Sequence, residues 1–137
     1  MKNGLSLHGS WEDGPWWFRA ILIRVIDGDT IDVLANGGFG NWSKQRLRLA
    51  ITVRPDVIGM DAPECRGPTK EAGKAATDEL CRLLKEHSFD EDRVTIKIKT
   101  AKRVGKYGRY ISSLHGKNGV NICQLMVDSG HAVEKNY

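Results

Sequence analysis

Cysteine and proline are both sparse in this 137-residue chain, at three and four residues. Cys65, Cys81 and Cys123 are widely spaced and form no C-x-x-C pair, which excludes a zinc knuckle and a disulfide framework. Cys81 and Cys123 fall in apolar helical patterns, where a thiol acts as a small hydrophobe. Cys65 adjoins Glu64, and a nucleophilic thiol would need a basic partner that the sequence does not locate. No apolar run is long enough for a transmembrane helix or a secretory core, so the expectation is a cytoplasmic protein with no membrane partner. His8, His87, His115 and His131 show no ligand spacing, which argues against histidine-based metal or nuclease chemistry. Hydrophobic residues make up 40%, too many for a disordered chain. The length suits one domain with one core. A formal net charge of +4 is compatible with a polyanionic partner without demanding one.

What the chain does carry is acid placed on turns. Asp27-Gly28-Asp29-Thr30 and Asp61-Ala62-Pro63-Glu64 each follow a strand-like run, and the basic segment Lys106-Tyr107-Gly108-Arg109 comes later. Carboxylate oxygens suit hard cations such as Ca²⁺ or Mg²⁺. Arginine offers a planar, permanently charged fork to charge developing on phosphate oxygens. Asp27 and Asp29 are two apart, so an extended chain points both to one side. Gly28 between them permits a tight turn, and Pro63 stiffens the link from Asp61 to Glu64. These are the parts of a cation site and a phosphate clamp, as phosphodiester cleavage requires.

The organisation is that of a small α+β domain over residues 16–137, preceded by a loose polar arm over 1–15. An apolar run from Trp16 to Ile26 reads as a first strand, and the early aromatics Trp11, Trp16, Trp17 and Phe18 are expected as core or barrel-plug residues, with base-stacking platforms as the alternative. Ile31 to Leu34 starts a second strand, closed by Asn36-Gly37-Gly38. Gln45 to Val53 alternates with Leu47, Leu49 and Ile51 on one side, until Pro55 interrupts it. Lys70 to His87 is the clearest helix, with Ala72, Ala75, Ala76, Leu80, Leu83 and Leu84 as its apolar stripe. Val94, Ile96 and Ile98 alternate with Thr95, Lys97 and Lys99 in a half-exposed strand. Another strand lies near Arg109 to His115. Asn121 is placed to cap a short final helix that Gly130 stops.

The two acidic turns, the helix, Lys106-Tyr-Gly-Arg and the closing Asn121 to Gly130 helix occur in an order and spacing that resemble staphylococcal nuclease. The resemblance covers about Phe18 to Val133. It implies an OB-type five-stranded β-barrel with packed helices, an architecture used to bind single strands and small loops. It also implies a monomeric Ca²⁺-dependent nuclease of low sequence specificity that acts on DNA, RNA or both and leaves 3′-phosphates. Asp29 and Asp61 would be direct Ca²⁺ ligands, with the Ala62 carbonyl as a further ligand and Asp27 close by. Glu64 would position or deprotonate the attacking water, and Arg109 would bind the scissile phosphate. Lys106 and Tyr107 would grip a terminal phosphate, and Tyr137 is the one aromatic placed to stack beside the nucleotide.

One departure from the family's pattern matters. The family has an arginine five residues before the second-turn aspartate, and here that position is Asp56. Arg54, on the same side of an ideal strand, is the preferred substitute. Arg48 is the second candidate if the segment Ala50 to Asp56 bulges out, and the third reading is that no equivalent exists. The stretch from Gly37 to Asp56 is also long for the family, and its Phe39 and Trp42 are candidates for an extra binding surface. Another class of function stays open: a non-catalytic OB-type nucleic-acid-binding module. Retention of Asp29, Asp61, Glu64 and Arg109 speaks against it.

Overall fold

Alternation of apolar and polar side chains builds most of this molecule, because each strand buries one face in a barrel and exposes the other. The computed structural model describes residues 16–101 and 110–137. The elements, in order, are β1 (Trp17–Asp27), β2 (Thr30–Asn36), β3 (Trp42–Thr52), β4 (Ile58–Asp61) and a single 3₁₀ turn at Gly67–Thr69. Helix α1 (Lys70–Glu86), β5 (Thr95–Ala101), β6 (Tyr110–His115), a second 3₁₀ turn at Lys117–Gly119, α2 (Ile122–Asp128) and β7 (Val133–Lys135) follow. The proposed arm over residues 1–15 and the basic stretch 102–109 lie outside the described residues.

Strands run in the order β2-β1-β5-β6-β3, and pairing of β2 with β3 closes them into a five-stranded barrel. All barrel pairings are antiparallel except β3 with β6, which makes the barrel mixed. The expected OB-type α+β architecture is thus present. Short strands β4 and β7 continue the sheet from the second half of β3. Strand β4 is the strand-like run expected before the second acidic turn, whereas β7, at three residues, is too short to show a period.

The barrel interior holds Ile31, Val33, Leu47, Leu49, Ile96, Ile98 and Leu114, all essentially inaccessible. Helix α1 covers one flank with Gly73, Ala76, Leu80, Leu83 and Leu84. Its buried stripe therefore runs through Gly73 and Ala76, while Ala72 and Ala75, expected inward, face solvent. Helix α2 is capped as anticipated: the Asn121 side chain accepts from the Gln124 amide at 3.0 Å. The Asn121 amide group also donates to the Ile51 carbonyl at 2.9 Å, which ties the cap to β3. Gly130, at φ 81°, takes the left-handed conformation that ends the helix.

Candidate active site

Two glycines let the acidic turns meet. A Cβ on Gly28 would fall 2.8 Å from the Cβ atoms of both Ala62 and Ala76, so the first turn can nest against the second turn and α1 only without a side chain. Gly73 does the same for the other end of the site, since a Cβ there would collide with the backbone of Glu64 and Cys65. Helix α1 is thereby pressed onto the segment that carries Glu64.

The contact this nesting creates centres on Asp29. Its carboxylate is 4% exposed and accepts from the Ala62 amide at 3.0 Å and from the Thr30 hydroxyl at 3.1 Å. Arg48 completes it: one terminal nitrogen lies 3.1 Å from Asp29 Oδ2 and the other 3.0 Å from Asp61 Oδ1. The guanidinium is a bridge between the two turns, in the forked geometry that suits arginine. Burial still pushes the Asp29 carboxyl above the usual carboxylate range, and the Ala62 amide, Arg48 and Thr30 only partly offset that. Asp61 is less buried, and Lys135 Nζ stands 3.9 Å from its second oxygen.

Arg48 is itself held from below. Its Nε donates to the Tyr137 hydroxyl at 3.0 Å. That hydroxyl also accepts from the Met60 amide at 3.1 Å and faces the Leu49 and Met60 carbonyls, between which its single proton is shared. Tyr137 packs its ring beside Ala50, Val53, Ala101 and Ile111. The family resemblance implies a stacking position for Tyr137 next to a nucleotide; the structure ties its polar end to the strand that carries Arg48.

The preferred arginine needs correcting. Arg54 is not brought to the carboxylates: it lies in the bend after β3, with its guanidinium carbon 4.1 Å from the centre of the Trp16 ring. Parity between Arg54 and Asp56 assumes one continuous strand running into Asp61. The chain instead folds back between β3 and β4, with Ala50 opposite Gly59. Stepping two residues outward from that pair sets Arg48 beside Asp61. The structure thus sets the second candidate, Arg48, beside both carboxylates, across the turn between β3 and β4. Pro55 after one alternating run and before another short one was the available signal for a hairpin.

Asp27 ends β1 opposite Thr30, half-buried, and Glu64 is exposed with its side chain free of hydrogen bonds among the described residues. Among the described residues, no three His, Cys, Asp or Glu side chains gather closely enough to hold an ion. Arg109, Lys106 and Tyr107 lie outside the described residues. Phe39 and Trp42 sit at the β2–β3 hairpin, the far end of β2 from the acidic turn, with Phe39 fully exposed. Cys123 is wholly buried and its thiol is pushed up to about 12, in keeping with an inert hydrophobe.

An OB-type barrel with a guanidinium clamped between two acidic turns is the class these features define. The chain is 29% identical over 111 residues to proteins called uncharacterized endonuclease in Escherichia coli O157:H7 and Escherichia coli, a match that covers 81% of this chain and 57% of each relative. It is 29% identical over 133 residues to a micrococcal nuclease of Shigella flexneri, covering 90% of this chain and 63% of that one. No family model matches. The chain thus spans about three fifths of the length of the curated relatives it matches. Fold and relatives together support a place in the staphylococcal nuclease-like family. No helix among the described residues is long and apolar enough to cross a membrane.

Proposed function

We propose that this chain is a nuclease domain that hydrolyses phosphodiesters of DNA or RNA with little sequence preference. The observation that carries the reading is the Asp29–Arg48–Asp61 bridge on two nested turns. Relatives named as nucleases support it. The donor set is all oxygen, and a carboxylate as buried as Asp29 benefits from additional positive charge. Those traits fit a hard cation such as Ca²⁺, held by Asp29 and Asp61, with the Ala62 carbonyl and Asp27 close by. Bound there, the ion would supply Lewis-acid polarisation of the phosphate and a more acidic water.

The chain's own residues do the rest. Glu64, exposed and unengaged, takes the proton of the attacking water as general base. Arg48 donates to phosphoryl oxygens, and Arg109 joins it by resemblance to the family. Water oxygen bonds to phosphorus as the P–O5′ bond breaks and the departing 5′-oxygen takes a proton from solvent, leaving a 3′-phosphate and a 5′-hydroxyl. Monomeric action inside the cytoplasm completes the reading.

The test is digestion of single- and double-stranded DNA and RNA with Ca²⁺, Mg²⁺ or chelator, followed by end-group analysis. Cleavage that survives chelator, or 5′-phosphate ends, would overturn this chemistry. A non-catalytic binding module is favoured by one observation: Arg48 neutralises the carboxylates, and among the described residues no third acid joins them. Tight nucleic-acid binding without hydrolysis in any metal would select that reading.

A further inference from the structure

At the end of β1 remote from the acidic turns, the outer face of β1, β5 and β6 carries cations and rings in cross-strand register. Trp17 pairs with Lys99, Arg19 with Lys97, and Lys97 on its other side with His115. Directly opposed residues project to the same face of a sheet. Phe89, from the loop after α1, lies against them: the Arg19 guanidinium carbon is 4.9 Å and Lys97 Nζ 5.8 Å from its ring centre. Lys99 Nζ stands 5.4 Å from the Trp17 ring, and Trp17 leans on His115 with ring centres 4.7 Å apart. Trp17, Arg19, Phe89, Lys97 and His115 line an open groove of about 550 Å³.

Two traits of this groove call for a ligand. None of Arg19, Lys97 and Lys99 forms an ion pair among the described residues. No carboxylate lines the groove, although Asp90, Glu91 and Asp92 follow Phe89 on its loop and face solvent. Trp17 is also 46% exposed, against its expectation as a core residue. Three cations without an ion-pair partner among the described residues attract a polyanion. A half-exposed indole among them adds a flat face on which Asp and Glu side chains have no ring to stack and that a duplex, with its bases paired inward, cannot reach. Lys97 and Lys99 are two residues apart along β5, about 6.6 Å in an ideal strand, so they can meet successive phosphates of one strand.

We propose that this face is a second nucleic-acid-binding site, a platform that holds a single-stranded segment by its phosphates and by stacking a base on Trp17. The identity of the occupant rests on the nucleic-acid reading above; the site itself is separate from the carboxylates. Trp17 and Asp27 lie at opposite ends of the 11-residue strand β1, about 33 Å apart in an ideal extended chain. A strand long enough to reach both would be anchored at one end while its other end is presented to Asp29, Arg48 and Glu64.

The full chain is titrated in chelator, where no hydrolysis intervenes, with labelled oligothymidylate of about 20 nucleotides, longer than the ~4–16 that one OB fold covers, with one of about five, and with a duplex. Trp17→Ala and the double variant Lys97→Gln/Lys99→Gln should each weaken the long single strand about tenfold. The double variant should also flatten the salt dependence by about 1.4, the share of two phosphate contacts. Duplex affinity should not respond to Trp17→Ala. With Ca²⁺ present, the ratio of kcat/KM for long over short substrates should fall in the double variant. Unaltered affinity for the long strand in both variants overturns the platform, as does an equal loss for duplex and single strand in Trp17→Ala. Binding changes without any hydrolysis would sink the nuclease reading and keep the platform, and hydrolysis without binding changes would do the reverse.

Discussion

The Tyr137 hydroxyl and Arg48 Nε lie 3.0 Å apart across 89 residues of sequence. One phenolic oxygen thus sets the angle of the guanidinium that joins Asp29 to Asp61. Tyr137→Phe keeps the ring and leaves the Met60 amide and Arg48 Nε without their acceptor. The expected cost is about 1–2 kcal/mol in urea unfolding. A loss of kcat of roughly tenfold with little change in KM should accompany it if the hydroxyl orients Arg48. A role in nucleotide stacking would give the opposite pattern, silence in Tyr137→Phe and a raised KM in Tyr137→Ala.

Arg48→Ala and Arg54→Ala separate two arginines that sequence parity alone does not rank correctly. Removal of Arg48 should lower kcat ~10²–10³-fold, the range for one transition-state donor. It should also destabilise the metal-free fold by about 2 kcal/mol, less than a wholly buried pair because Arg48 keeps partial solvent contact. Arg54→Ala should leave kcat near wild type and cost about 0.5–1 kcal/mol through its lost contact with Trp16. A large kcat loss at Arg54 would return the role to it.

Gly28→Ala should destabilise by about 1–3 kcal/mol, because the new methyl group meets Ala62 and Ala76 at 2.8 Å. Separation of the turns should also weaken Ca²⁺ binding measured by calorimetry. Adding Ala76→Gly makes room on the helix side, at the cost of about 1 kcal/mol in helix propensity. The double variant should recover metal affinity more than stability. If Gly28→Ala binds Ca²⁺ as wild type does, nesting of the turns is not what forms the site.

His115 offers a pH test remote from the acidic turns. Burial, and then the charge of Lys99, hold its imidazole below the ordinary value of about 6.5. Lys97 and Arg19 add positive charge on the same face, and Ser113 Oγ lies 2.7 Å from its Nε2. Between the folded and unfolded values the unfolded chain binds more protons, so stability rises with pH in that window. The contribution is full above about pH 6.5 and is lost as pH falls toward the folded value. His115→Gln should flatten the wild-type slope of urea stability in the window below about pH 6.5. An unchanged slope would place the titrating group elsewhere.

Much of this architecture was legible because alternation is local. The paired Leu47/Leu49/Ile51 and Ile96/Ile98 faces, the Asn121 cap and the Gly130 stop need only near neighbours in sequence to be recognised. Trp17 was misjudged as a plug, although the same alternation that turns Phe18 inward requires its neighbour to face out. The acidic turns were legible as chemistry, but the arginine that joins them was not. Its place depends on how β3 pairs with β4, and register between strands is set by contacts the linear pattern does not contain. Tyr137 was noticed as an aromatic, while its bond to Arg48 depends on the short β7 pairing that delivers the chain end to β4.

The β3–β4 hairpin carries a further consequence for how such sites vary. Arg48 and Asp61 are aligned by the Ala50–Gly59 pairing, and the residues from Pro55 to Val57 lie in the connecting loop. Lengthening a flexible loop is inexpensive, about 0.6 kcal/mol for each doubling. Insertions there can therefore accumulate while the guanidinium and carboxylate stay at contact distance. A search pattern that demands a fixed count of residues from arginine to aspartate will pass over chains of this kind. A pattern that lets the count float between two short alternating runs will retain them.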